Sequence, residues 1–253
     1  MFDVIILAGG AKSSALTEME NVKNKAFVQI HGQPMLTYVL TALRQVEEVG
    51  RIAIVGPLAD LAFAKEQFTQ IVTVAEESTI VENVQRGVEA LQPRKHVLVC
   101  TVDVPFLTPT AVEDLLTSCI PYDADIYYPI INRIDNDRRF PGVTRTYVKL
   151  REGEFTGGNL FLVNPACLER ALPRLHKIFA LRKSPLRLVA MLGFGFVIKL
   201  LTKQLSIAAL ERRFSALFAV QAQAVISKFA EIGTDVDKPS DLELARLHLQ
   251  PRR

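Results

Sequence analysis

The chain has 253 residues, 49% of them hydrophobic and 23% charged, with a formal net charge of +3. That is enough apolar sequence for a full core, and it argues against disorder and against a disulfide-stapled miniature. The positive excess is small and dispersed, which suits a small anionic substrate and lacks the basic footprint of a nucleic-acid binder.

The first half alternates between two periods. MFDVIILAGG has no basic leader and no cleavage pattern of small residues, so it reads as a first strand ending in two glycines, not as a signal peptide. PMLTYVLTALRQV then places Leu36, Val39, Leu40 and Leu43 on one helical face. RIAIVG is a second short strand, DLAFAKEQF a helix, QIVTVAE a third strand and IVENVQRGVEAL a third helix. KHVLVCTVDVPF is a fourth strand running into acid and proline. The helix after it is announced by Thr108 as cap and Pro109 in the first turn, with Glu113 and Asp114 expected to favour its positive end. Apolar strands followed by amphipathic helices imply βαβ units and a mostly parallel sheet covered on both faces, with ligands held beyond the carboxyl ends of the strands.

The second half is less regular. DADIYYPIINRIDNDRRF begins as a strand and reads as running into a charged loop. GVTRTYVKLREGEF alternates like an antiparallel strand or hairpin, and TGGNLFLVNP joins a glycine turn to a strand. Residues 166–231 read as mostly helical, and the tail as a turn followed by a helix from about Pro239. With no repeat and no long linker, the expectation is one three-layer α/β/α domain spanning 1–253, with a helical insertion at about 166–231. The apolar stretch Leu186–Leu201 is too short for a membrane span and carries Arg187 and Lys199 near its ends. It reads as a buried helix–turn, with a weak membrane-surface contact through 182–201 as the sharper alternative. The basic residues Arg170, Arg174, Lys177, Arg182, Lys183 and Arg187 read as a solvated face, with the entrance for an anionic acceptor or contact with lipid headgroups as alternatives. Cys100, Cys119 and Cys167 are odd in number, far apart and without CxxC, which excludes a disulfide framework and a zinc motif and points to a reducing, cytoplasmic setting.

Four constellations carry chemistry. Leu7-Ala8-Gly9-Gly10 closes a strand, where glycine amides can hold a phosphate or a base edge, and Lys25 lies 15 residues beyond Gly10 (25 − 10), close enough to neutralise phosphate charge. Neither GxxxxGK[ST] nor GxGxxG is present, so a tight turn before a helix is an equal reading. Asp103 ends a buried strand, a costly place for a carboxylate unless it is paired or binds a cation such as magnesium. Asp235 and Asp237 are two apart, so on an extended segment both face one side, and one of them is a second metal-ligand candidate. Gly157-Gly158-Asn159, with Gly142 upstream, suits recognition of a hydroxylated acceptor or is simply a turn.

The ordered set LAGG, NKAF, GQPML, VDVPF, TGGNLFLVNP and TDVDKPSDLELA resembles the MobA-like NTP transferases, within the wider GT-A-type, Rossmann-like nucleotidyltransferases. The resemblance covers roughly the first 165 and last 25 residues. It implies that Leu7, Ala8, Gly9 and Gly10 hold the base and triphosphate, that Lys25 contacts phosphate, and that Asp103 and Asp235 bind Mg2+. It implies, less directly, Asn83 at the base or ribose and Gly142, Gly158 and Asn159 at the acceptor. The family loop carries an arginine; here AKSSALTEMENVKNK has none, and Lys12 or Lys23 is the candidate substitute, as a point charge without a bidentate fork. The implied activity is transfer of a nucleoside monophosphate from an NTP to a small phosphorylated acceptor with release of pyrophosphate. The acceptor classes are a sugar phosphate, a polyol phosphate or a molybdopterin-like compound. A non-catalytic nucleotide-binding protein and a nucleotide-sugar-dependent glycosyltransferase of related fold are the alternatives.

Overall fold

The computed structural model describes residues 1–10, 14–181 and 193–249. Lys12 lies outside them, as do residues 182–192 of the segment weighed for membrane contact, with the basic side chains Arg182, Lys183 and Arg187. Strand β1 (Phe2–Leu7) leads to the short helix α1 (Ala15–Met19), a 3-10 turn at Lys25–Phe27, and a hairpin of β2 (Gln29–Ile30) and β3 (Gln33–Pro34). Then follow α2 (Met35–Arg44), β4 (Val49–Gly56), α3 (Ala62–Gln67), β5 (Ile71–Ala75), α4 (Ile80–Leu91), β6 (Val97–Thr101) and α5 (Pro109–Ser118). The second half contributes β7 (Ile126–Asn132), α6 (Arg133–Arg139), β8 (Val148–Leu150), β9 (Gly153–Gly157) and β10 (Leu160–Val163). It ends with α7 (Leu168–Leu181), α8 (Phe194–Leu201), α9 (Ile207–Phe218), β11 (Ala222–Ser227) and α10 (Pro239–His248).

Among the described residues nine strands form one sheet in the order β5-β4-β1-β6-β10-β7-β9-β8, with β11 on the free flank of β7. The pairings β1–β4, β1–β6, β4–β5 and β7–β11 are parallel, and those made by β9 and β10 are antiparallel. Most strands therefore run one way, and β9 and β10 form a broken line against them, interrupted at Gly158-Asn159. One face is closed by α2, α3 and α5 through Leu36, Val39, Leu40, Leu61, Val112 and Leu115. The other is closed by α4, α7 and α9 against Ile5, Ala53, Val55 and Val99. This is the expected three-layer α/β/α domain with a mostly parallel sheet.

Three local expectations are corrected. The charged run after β7 is the helix α6, because Asn132 Oδ1 caps it by accepting from Ile134 N at 2.9 Å, Asp135 stands in its first turn and Arg138 and Arg139 in its last. Charges alternating at helical spacing make ion pairs as well as loops: Arg133 meets Asp137 at 3.2 Å, four residues on. Glu113 and Asp114 lie past the first turn of α5, so Thr108 and Pro109 alone define its start. And within the stretch expected to be mostly helical, residues 222–227 form β11, in parallel register with β7 from Ala222↔Ile126 to Ser227↔Ile131. The outward amides of that edge strand are occupied by α9: Ala222 N donates to Ser215 Oγ at 2.9 Å and Ala224 N to Glu211 Oε1 at 2.7 Å. No helix among the described residues is long and apolar enough to cross a membrane.

Two packing features generate predictions. Gly87 of α4 lies so close to β1 that a Cβ there would stand 2.6 Å from Ile5 Cγ2 and 2.8 Å from its Cγ1. Ile5 is fully buried and has nowhere to go. Gly87→Ala should therefore lower unfolding free energy by about 1–3 kcal/mol in urea titration despite alanine's better helix propensity. The three cysteines are free and buried, and burial pushes the Cys119 thiol up to about 12 and the Cys167 thiol up to about 11. The thiolate is the reactive form, so at pH 8 the native protein should not react with a thiol reagent until denaturant is added.

Candidate active site at the carboxyl ends of β1 and β6

The site begins where β1 runs out. Ala8 is still fixed to the sheet, its N–H donating to Val55 O at 2.9 Å, and Leu7 O accepts from Val102 N at 3.3 Å. Gly10 then takes φ +91°, a conformation that L side chains avoid. Its N–H donates to Glu76 Oε2 at 2.5 Å, and a Cβ at Gly9 would run into the same carboxylate. Gly9 is thus favoured by the close approach of a side chain from the end of β5 and Gly10 by its positive φ, and the amide of Gly10 points toward an oxygen acceptor.

Lys25 is brought beside this turn by its predecessor. Asn24 is buried; its Nδ2 donates to Ala8 O at 2.7 Å and its Oδ1 accepts from Ala26 N at 2.8 Å. One amide therefore ties the glycine turn to the 3-10 turn that carries the lysine. Lys25 Nζ stands 3.8 Å from Asp103 Oδ2 and pairs more closely with Asp237.

Asp103 lies two residues past β6, its side chain 20% exposed. Its Oδ1 accepts from Thr101 Oγ1 at 2.6 Å, and its carbonyl accepts from Val236 N at 2.8 Å. Burial raises its pKa above the ordinary carboxylate range, against the lowering pull of the Thr101 hydrogen bond and of Lys25. The bond to Val236 sets Asp235 and Asp237 on either side of it, and one oxygen from each of Asp103, Asp235 and Asp237 lies within 4.8 Å of the others. The tail is held in this place by Thr234, whose Oγ1 donates to Ala230 O at 2.9 Å, and by Asp241. The latter accepts from Asp237 N at 3.0 Å and Lys238 N at 2.9 Å to start α10. Arg145, between α6 and β8, brings a second cation: its guanidinium pairs with Asp235, and its side chain is 13% exposed. Burial lowers its pKa, opposed by the surrounding carboxylates of Asp241, Asp237 and Asp103.

The structure therefore brings together Leu7, Ala8, Gly9, Gly10, Lys25, Asp103 and Asp235. Asn159 joins them through its main chain: its carbonyl accepts from Thr101 N at 3.0 Å and its N–H donates to Ile232 O at 2.8 Å. Gly158 is buried between Pro129 and Ile232, where a Cβ would come within 2.8 Å of each. Gly142 occupies an exposed turn at φ +83° with nothing within 4 Å of a Cβ position. Asn83 is buried, its Oδ1 accepting from Glu77 N at 2.6 Å, which fixes the loop that carries Glu76. Sequence reasoning missed Asn24, Glu76 and Arg145, and Asp237 was only one of a pair. Glu76 had the same signal as Asp103, an acid at a strand end; Asn24 adjoined a residue already singled out; Arg145 had no local signal.

Three converging carboxylates are hard oxygen donors of the kind divalent cations take, and the glycine turn and Lys25 beside them suit a chain of phosphates. The place of this site, at the carboxyl ends of a doubly covered sheet, is where α/β proteins of this architecture hold their ligands. The chain belongs to the MobA-like NTP transferase domain family, whose sequence profile matches residues 4–187. A solved structure described as a hypothetical transferase from Thermus thermophilus is 36% identical, with TM-score 0.84, covering 95% of this chain and 99% of that one. A 2-C-methyl-D-erythritol 4-phosphate cytidylyltransferase, also from Thermus thermophilus, is 19% identical with TM-score 0.56, covering 97% of each chain. A CMP:2-keto-3-deoxy-manno-octonic acid synthetase complexed with CTP is 13% identical with TM-score 0.60, covering 98% of each. At these identities the last two share the fold. No curated protein matches the sequence.

Asn24→Ala removes both ties between the glycine turn and Lys25. It should weaken NTP binding by about tenfold in calorimetric titration and lower stability by about 1–2 kcal/mol.

Proposed function

We propose that the protein transfers a nucleoside monophosphate from an NTP to a small phosphorylated acceptor and releases pyrophosphate. The observation that carries this reading is the convergence of Asp103, Asp235, Asp237 and Lys25 beside the Gly9-Gly10 turn. CTP is the first NTP to test, since the fold neighbours include a cytidylyltransferase and a synthetase solved with CTP. The acceptor is a sugar phosphate, a polyol phosphate or a molybdopterin-like phosphate.

In the reaction an oxygen of the acceptor's phosphate attacks the α-phosphorus in line. A new P–O bond forms, the bond from the α-phosphorus to the bridging oxygen breaks, and that electron pair leaves with pyrophosphate. No side-chain nucleophile takes part, so positioning and charge neutralisation do the catalysis. The donor set fits Mg2+, which ordinarily takes one or two carboxylates plus phosphate oxygens: Asp103 and Asp235 would hold it, while Asp237 is engaged by Lys25. Bound there, it would neutralise phosphate charge as a Lewis acid. The glycine turn presents its backbone to phosphate or base, and the Gly10 N–H, which donates to Glu76 Oε2 at 2.5 Å, would exchange that carboxylate for the ligand. Lys25, fixed by Asn24 and Asp237, meets the negative charge that develops on the leaving phosphates.

The test is pyrophosphate release from each of the four NTPs with Mg2+ over a panel of phosphorylated acceptors, with Asp103→Ala as control. One NTP and one acceptor should support turnover, and the variant should lose at least about 10²-fold in kcat while keeping its circular dichroism spectrum. Turnover near that of the parent in Asp103→Ala sinks the assignment of Asp103. Tight NTP binding without release across the panel favours a non-catalytic nucleotide-binding protein.

A further inference from the structure

Arg145 offsets charge in the acidic cluster, and its position suits a second role as well. Its guanidinium pairs with Asp235, and Asp103, Asp237 and Asp241 lie within electrostatic reach. An arginine never gives up its charge, and taking that charge out of water is costly even beside a carboxylate. The carboxylate it covers is the one that the acidic cluster needs for a cation. Guanidinium and divalent ion are therefore competitors for Asp235, at a place where solvent screens them less than at an open surface, since the Arg145 side chain is 13% exposed.

The two cations of the site also differ in how they are held. Lys25 is anchored from both sides, by Asn24 next to it and by the Lys25–Asp237 pair. Arg145 stands in the irregular stretch 143–147 that follows the positive-φ turn at Gly142 and precedes β8. Its segment belongs to the second half of the chain, whereas Lys25 follows the glycine turn in the first. A planar fork with five donors matches a phosphate oxygen pair, which a lysine point charge does not.

We infer that Arg145 is a counter-charge that changes partners: it covers Asp235 until a divalent ion claims the carboxylate, and its guanidinium then clamps the phosphate of the acceptor. The inference rests on the transferase reading for the identity of that phosphate, but its first half is independent of it. It makes Arg145 a specificity residue for an anionic acceptor. It also makes acceptor-phosphate binding depend on the ion being in place, because only then is the guanidinium released.

Two measurements on the folded protein test it, each free of turnover. In the first, Mn2+ alone is titrated into the wild type, Arg145→Gln and Arg145→Lys, with melting curves run beside to confirm that all three are folded. Removing the competing cation should tighten Mn2+ binding about tenfold in Arg145→Gln and leave it near the wild-type value in Arg145→Lys. A structural role for Arg145 in holding Asp235 predicts the reverse, so weaker or unchanged Mn2+ binding in Arg145→Gln overturns the exchange. In the second, inorganic phosphate is titrated into protein loaded with Mn2+ and a non-hydrolysable CTP analogue. Phosphate should bind about tenfold more weakly to Arg145→Gln, with Arg145→Lys intermediate and the affinity for the CTP analogue within about twofold of wild type. Phosphate that binds all three alike, or none of them, overturns the clamp, and a tenfold loss of analogue affinity reassigns the guanidinium to the NTP. Failure of the wild type to bind any NTP with Mn2+ sinks the transferase reading by itself and leaves the Mn2+ comparison standing.

Discussion

The placement of Asp103, Asp235 and Asp237 around one small volume is the constraint on which the rest of the site depends. Like charges at that spacing repel by roughly 3 kcal/mol a pair at the effective dielectric of a protein surface. An unguided chain therefore does not collect them, and the fold has to. It does so with main-chain bonds that are indifferent to charge: Val236 N to Asp103 O, Asn159 N to Ile232 O, and Thr101 N to Asn159 O. These three bonds stitch the end of β6, the break between β9 and β10, and the returning tail into one frame. The two cations, Lys25 and Arg145, then offset part of the repulsion. A frame built to hold repelling groups close is preorganised for a cation before any ligand arrives.

The same frame explains why the chemistry is split between the two ends of the chain. Lys25 and Asp237 are 212 residues apart in sequence and touch in space. The tail is fastened to the N-terminal segment by Arg246, whose guanidinium donates to Glu20 at 2.9 Å and to Gln29 O at 2.9 Å, and whose carbonyl pairs with His31 Nε2 at 2.8 Å. An apolar cluster that includes Leu16, Ile30, Tyr38, Val236 and Leu242 packs the tail against the N-terminal segment. Closure of the site is thus a tertiary event at long sequence separation, won by burial and a few directed hydrogen bonds, and it fixes where the carboxylates of the tail can stand.

What could be read in advance follows from this division. The first half was legible because each strand and helix there buries one face against a neighbour close in sequence, so period and composition speak directly: β1, β4, β5 and β6 with α2, α4 and α5 stand where Val4–Leu7, Leu36–Leu43 and Leu98–Cys100 imply. The strand-end rule also found Gly9, Gly10 and Asp103. The second half resisted for physical reasons. α6 is held by ion pairs and caps, with only Asn136 buried along it, so no apolar stripe announces it. β11 is an edge strand whose outward bonds go to helix side chains, so it lacks the continuous apolar run of a central strand. Arg145 acquires its meaning from Asp235, 90 residues away (235 − 145), and a local window cannot contain that. Asn24 was adjacent to a residue already singled out, and its role became visible only once Ala8 O was beside it.

The loop that follows Gly10 lacks the arginine of related sequences and carries Glu18 and Glu20 instead, which at the level of sequence looks hostile to a triphosphate. The structure removes half of that objection. Glu20 is turned into a pair with Arg246, its side chain 16% exposed, and so serves the closure of the tail. Ser14 is likewise spent on structure, its Oγ capping α1 by accepting from Thr17 N at 3.2 Å. Among the described residues of this segment, Ser14 and Glu20 serve architecture, and none supplies a delocalised, bidentate cation. Arg145 is a guanidinium already inside the charged frame, supplied by the other half of the domain. Under the inference drawn above, a guanidinium in the segment before β8 would tie recognition of the acceptor's phosphate, not the NTP's, to the carboxylate it covers, and would order the binding steps with the ion first and the acceptor after it.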